Sequence, residues 1–136
     1  MNKQQKAYAA AKARHLATHE AEKAAEAEYI KRHGILNDDG TEPGQIYTIK
    51  CDDARFEDIL AEIDANGELH DVYEETIAAA RALHKAEEDL IEYGLRLLPV
   101  KEAETLRRAK DRVKYREKII DLTFRLDTRT VRRRGA

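Results

Sequence analysis

Serine is missing from this chain altogether, as is tryptophan, and its 136 residues include one cysteine, Cys51, and two prolines. Without serine there is no serine nucleophile, so hydrolysis by that route is excluded. One cysteine cannot close an intramolecular disulfide and brings a single ligand to any metal, which fits a reducing compartment. Cys51 precedes an expected helix N-terminus, but Asp52 and Asp53 oppose thiolate formation there, so it reads as inert. The six glycines are scattered at turns, apart from Gly94, and make no phosphate-cradling loop. No apolar run approaches the ~20 residues that cross a bilayer. The opening MNKQQKAYAAAKARHLATHE also lacks the unbroken apolar core of a signal peptide. A cytoplasmic protein with no membrane association is expected.

Aromatic residues are scarce at 6%, whereas charged residues make up 38% and apolar ones 42%. That balance favours helices around a modest aliphatic core over a β-sandwich. The length suits one domain, 1–136. The charges are segregated: 1–34 carries a net +3, 35–100 a net −12 and 101–136 a net +7, leaving −2 overall. The chain is a basic–acidic–basic polymer.

Residues 1–33 are rich in Ala, Lys, Glu and Gln and end at Gly34, a suitable helix stop. The apolar face of this helix is thin. Tyr8, Leu16, Tyr29 and Ile30 are interrupted by Lys12, His19, Lys23 and Glu26, so loose packing and fraying near Met1 are expected. Asn37-Asp38-Asp39-Gly40 and Pro43-Gly44 make 34–51 a loop, with Ile46, Tyr47 and Ile49 as a short extended piece.

A helical core is expected over 52–127. Asp52 or Asp53 caps a helix in which Phe56, Ile59, Leu60 and Ile63 share one face, and Asn66-Gly67 ends it. From Glu68 to Leu98 the stripe Leu69, Val72, Tyr73, Ile77, Ala80, Leu83, Leu90, Ile91, Leu95, Leu98 is opposed by an acidic face. Pro99 cannot continue a helix but suits the start of one. A second helix follows to about Asp127, with Ala103, Leu106, Ala109, Val113, Ile120 and Phe124 on one side. The expected fold is therefore all-α: a small bundle of about four helices on a long antiparallel hairpin turning at Pro99.

Tyr115, Ile119, Leu122 and Leu126 form a second apolar row nearly opposite the first. One partner helix cannot cover both, so this row is sandwiched within the chain or holds a second subunit. A homodimer through it is the expectation carried forward.

Several constellations compete for a function. Arg107, Arg108, Arg112 and Lys114, with Arg129, Arg132, Arg133 and Arg134 on a basic tail over 128–136, could neutralise phosphates. The acidic arm of the same hairpin explains much of that charge without nucleic acid, and no helix-turn-helix, zinc-finger or RNA-binding aromatic motif accompanies it. The acids of 52–64 and 74–92 read as solvated outer faces. His15, His19 and Glu22 share one side of a helix at a spacing that permits a metal, but exposed pairs of this kind arise readily in charged helices. Counting outward from Pro99 brings His84, Glu87, Lys110 and Glu117 into the hairpin seam, as a polar layer that fixes register. Acid–base catalysis is the less common use of such a layer. The sequence thus points to a non-enzymatic helical interaction or adaptor protein with an unidentified protein partner. Nucleic-acid binding is the alternative, an acid–base or metal enzyme ranks third, and no cofactor is implied.

Overall fold

A computed structural model describes residues 2–37, 39–49, 56–108 and 112–125, the side chains of 47 and 112–114 aside. Five α-helices lie among them: α1, Lys3–His33; α2, Phe56–Asn66; α3, His70–Leu97; α4, Val100–Arg107; and α5, Arg112–Arg125. The described residues contain no strand, so the all-α class holds. Two compact units divide the chain, residues 14–80 in one and 1–13 with 81–136 in the other, so α1 and α3 contribute to both.

The local stops follow turn chemistry. Gly34 adopts φ 63°, its N–H donates to the Lys31 carbonyl, and the N–H of Ile35 donates to that of Ile30 at 3.0 Å. These paired bonds satisfy the last carbonyls of α1 through a left-handed residue that glycine adopts without steric cost. Gly67, at φ 72°, closes α2 with one bond, its N–H donating to the Ile63 carbonyl at 3.3 Å. Pro99 precedes α4 at φ −54°, one position earlier than its expected place inside that helix.

In the 14–80 unit the core consists of Tyr29, Ile30, Ile46, Ile49, Ile63 and Leu69, with Phe56, Ile59, Leu60 and Tyr73 packed against it. Two sequence expectations need correction here. Far from being loosely held, α1 buries Tyr29 and Ile30 to 1% and 0% exposure. The 34–49 segment supplies the apolar cover that the helix lacks on its own. Ile46 and Ile49 provide that cover from a 3₁₀ turn, Ile46–Thr48, and not from an extended piece. Tight i→i+3 hydrogen bonding lets two isoleucines three apart point the same way.

The other unit has its core in Ile91, Leu95, Ala103 and Ile119, with Leu98, Leu106, Tyr115 and Ile120 against it. The helix expected to run unbroken from Pro99 to about Asp127 is two helices. Arg108 ends α4 at φ −91°, ψ −5°, its N–H still bonded to the Glu104 carbonyl, and α5 begins at Arg112. Nor does α1 begin frayed: the Asn2 carboxamide accepts from the Gln5 N–H at 2.8 Å, and the Gln5 carboxamide from the Asn2 N–H at 2.9 Å. This reciprocal cap satisfies two donors that a helix start otherwise leaves open. The expected cap at Asp52 or Asp53, Cys51, Lys110, Leu126 and the 128–136 tail all lie outside the described residues.

Candidate functional site

Of the apolar row expected to receive a second subunit, Ile119 is buried inside the chain and Tyr115 lies against the same core, while Leu122 is half-buried and Leu126 lies outside the described residues. Ile119 is 1% exposed and packs with Ile91, Leu95 and Ala103. Gly94 makes this possible: a Cβ there would fall 2.7 Å from Ile119 Cγ2 and 2.9 Å from Thr123 Cγ2, so only a bare α-carbon lets α5 approach α3 so closely. On another side of α5, the Phe124 ring lies 6.0 Å from that of Tyr8 in α1, and Thr123 accepts from Gln5 through its backbone carbonyl. α5 is therefore held between α1 and α3, the first of the two arrangements its double row allowed. The reason is geometric, since a helix with two apolar sides buries both when its own chain offers two neighbours.

What remains open is a cleft of about 510 Å³ at α4 and α5, lined by Leu98, Lys101, Glu102, Thr105, Leu106, Lys118, Ile119 and Leu122. Leu98, Leu106 and Leu122 are only half-buried, while Lys101, Lys118, Glu102 and Thr105 are exposed at its margin. Val100, the first residue of α4, is 74% exposed. Glu102 lies in the first turn of α4, where a carboxylate complements the helix dipole.

Two basic residues of α4 and α5 are paired with acids of α3. Arg107 donates to Glu92 at 3.3 Å, and Arg116 reaches both Glu88, at 2.5 Å, and Glu87, at 3.6 Å. These two guanidinium groups neutralise acids on α3. Among the described residues Lys101, Lys118 and Arg108 form no ion pair. The side chains of Arg112 and Lys114, and all of Arg129, Arg132, Arg133 and Arg134, lie outside the described residues.

Of the expected polar layer, His84 is exposed and faces Glu88 at 3.9 Å, Glu87 pairs with Arg116 at 3.6 Å, Glu87 and Glu117 line one cleft with Tyr8, Lys12 and Arg116, and Lys110 lies outside the described residues. Counting equal distances from Pro99 sets Glu87 against Lys110 or Asp111, which lie outside the described residues; the count assumes one continuous helix where α4 and α5 are separate, and it misses Arg116. His15 and His19 stack with ring centroids 6.3 Å apart, and His19 Nδ1 lies 3.8 Å from a Glu22 oxygen. Among the described residues no group of three or more His, Cys, Asp or Glu is placed to hold a metal ion. No helix among them is long and apolar enough to cross a membrane.

The 14–80 unit holds a buried carboxylate whose role the sequence did not disclose. Glu26, 4% exposed, accepts from the Ile46 N–H at 3.2 Å and from the Tyr73 hydroxyl at 3.1 Å. Desolvation raises its pKa, an effect the two hydrogen bonds only partly offset, and burial beside Glu26 likewise raises that of the Tyr73 phenol. Glu26 stands among apolar positions on α1, the one sequence signal that marked it as unusual. Its geometry is that of a structural tie for the 3₁₀ turn. At the surface of the same unit, Arg32 and His33 converge on Glu68. Partial desolvation opposes ionisation of Glu68, but the His33 hydrogen bond and the charge of Arg32 outweigh it and hold its pKa below the usual carboxylate value.

Compared with protein-family models, with curated proteins and with solved structures, the chain matches none.

Proposed function

We propose that this chain is a non-enzymatic, cytoplasmic helical protein whose work is to bind another protein through the cleft at α4 and α5. The observation that carries the proposal is the half-buried leucine surface of Leu98, Leu106 and Leu122, which lines an open cleft beside the core of Ile91, Leu95, Ala103 and Ile119. Open apolar clefts with polar rims are a common form of protein interaction site.

The cleft belongs to an antiparallel hairpin in which α3 turns at Leu98-Pro99 into α4 and α5. Arg107 pairs with Glu92 and Arg116 with Glu88, so a step forward along the second arm is a step back along α3. Nucleic-acid binding is the second reading, favoured by Lys101, Arg108 and Lys118, which form no ion pair among the described residues, and weakened by the engagement of Arg107 and Arg116 with acids of the chain.

Quantitative affinity capture from the native cell, with the wild type and Leu122→Glu compared side by side, tests the proposal. A protein retained by the wild type, lost on substitution and insensitive to nuclease supports it. Retention that nuclease abolishes favours the second reading, and equal capture by both forms overturns the cleft as the site.

A further inference from the structure

We infer that the occupant of the cleft is an acidic amphipathic helix: a segment of another protein with a leucine-type stripe flanked on both sides by carboxylates. The inference rests on the proposal that this chain binds a protein and specifies the chemistry of the segment it binds. Four features carry it.

The floor is aliphatic, supplied by Leu98 at the end of α3 side, Leu106 of α4 and Leu122 of α5. An apolar stripe laid against such a floor removes its surface from water, the main driving force for docking of this kind. Each of the two helices brings one cation to the cleft, Lys101 on α4 and Lys118 on α5.

Those lysines are not committed elsewhere. Glu92, Glu87 and Glu88 of α3 are met by Arg107 and Arg116, while Lys101 and Lys118 form no ion pair among the described residues. The internal charge balance that accounts for the two arginines therefore does not account for the two lysines. Glu102, the one acid at the rim, lies in the first turn of α4, where the helix dipole gives it a local role.

Two cations on different helices distinguish among ligands. A fatty acid has one carboxylate and would satisfy one lysine. A nucleic acid would satisfy both but leave the leucine floor facing phosphates. A helix with carboxylates on both sides of an apolar stripe meets the floor and both lysines together. Docked this way, the apolar stripe supplies most of the affinity, and the two charge contacts set orientation and exclude basic helices.

The test uses the full chain and a synthetic amphipathic peptide of roughly four helical turns, with leucines on one stripe and glutamates beside it. Lysine replaces every glutamate in the control peptide. Fluorescence anisotropy is expected to show saturable binding of the acidic peptide, weak binding of the basic one, and loss of affinity as salt is added. The exposed pair Lys101→Glu with Lys118→Glu, checked for unchanged helicity, should weaken the acidic peptide by about tenfold and reverse the preference between the two. Leu122→Glu should lose both peptides.

Equal binding of the two peptides, or indifference to the lysine reversal, overturns the inference. So does binding of laurate in place of the peptide. Self-association of the chain that Leu122→Glu abolishes would make a second copy the occupant and overturn it as well. A cellular protein captured through Leu122 while the acidic peptide fails to bind would leave the interaction proposal standing and remove only this account of the segment's chemistry.

Discussion

Gln5 and Thr123, 118 positions apart, are joined by a buried hydrogen bond in which the Gln5 side-chain NH₂ donates to the Thr123 carbonyl at 2.6 Å. The same side chain accepts from the Asn2 N–H, so one carboxamide caps the start of α1 and satisfies a carbonyl in the last turn of α5. A helix leaves its first N–H groups and its last C=O groups unpaired, and here one residue serves both kinds of vacancy.

Replacing Gln5 by Ala should therefore destabilise the chain by about 1–3 kcal/mol, the usual effect of leaving buried polar groups unsatisfied. Gln5→Glu keeps the acceptor for Asn2 but sets a carboxylate against the Thr123 carbonyl. Its deficit should be larger at neutral pH than in mild acid, where the carboxyl can donate. Urea unfolding at two pH values measures both effects.

Gly94→Ala should cost about 1–3 kcal/mol, as overpacking does in a filled core, because its methyl group meets Ile119 and Thr123 at under 3 Å. Ile119→Ala removes one of the two obstacles. If the clash is the cause, the double substitution is less destabilising than the sum of the two single ones, and a double-mutant cycle by thermal unfolding reads that coupling.

Positions 119 and 122 belong to one apolar row in the sequence but differ in the fold. Ile119→Ala should cost about 2–5 kcal/mol as a core truncation, whereas Leu122→Ala, at the open cleft, should stay near about 1 kcal/mol or less. Equal costs would show that Leu122 is as much a part of the core as Ile119.

Glu26 makes stability depend on pH. Burial raises its folded pKa above the unfolded value, so the native state holds the proton more tightly than the unfolded chain does. Its contribution is fully present below the unfolded pKa and is lost as pH rises through the raised folded one. Stability measured by chemical denaturation should therefore fall across that interval. Glu26→Gln should flatten this part of the profile and be more stable than the wild type at neutral pH, while Tyr73→Phe should lower stability by removing a hydrogen bond to the carboxylate.

The helices and their stops were legible because their signals are local. Gly34, Gly67 and Pro99 act within a few residues of themselves, and the composition of α1 and the stripe of α3 speak for helix without reference to the rest of the chain. The Glu87–Arg116 pair was not legible, because pairing by distance from Pro99 presumes a continuous second helix and the register changes where α4 gives way to α5. The burial of Tyr29 and Ile30 was missed for a similar reason: their cover comes from Ile46, Ile49, Ile63 and Leu69, far along the chain.

The sequence by itself determined that this protein is helical, that its charge lies in blocks, and that serine-based chemistry is closed to it. Only the tertiary structure decided which polar groups are buried, as with Gln5 and Glu26, and which apolar ones are left half-buried at a cleft, as at Leu122. The physical reason lies in α5, whose two nearly opposite apolar rows satisfy helical periodicity equally well. Within the second row, Gly94, an α-carbon without a side chain on another helix, admits Ile119, while Leu122 stays at the edge.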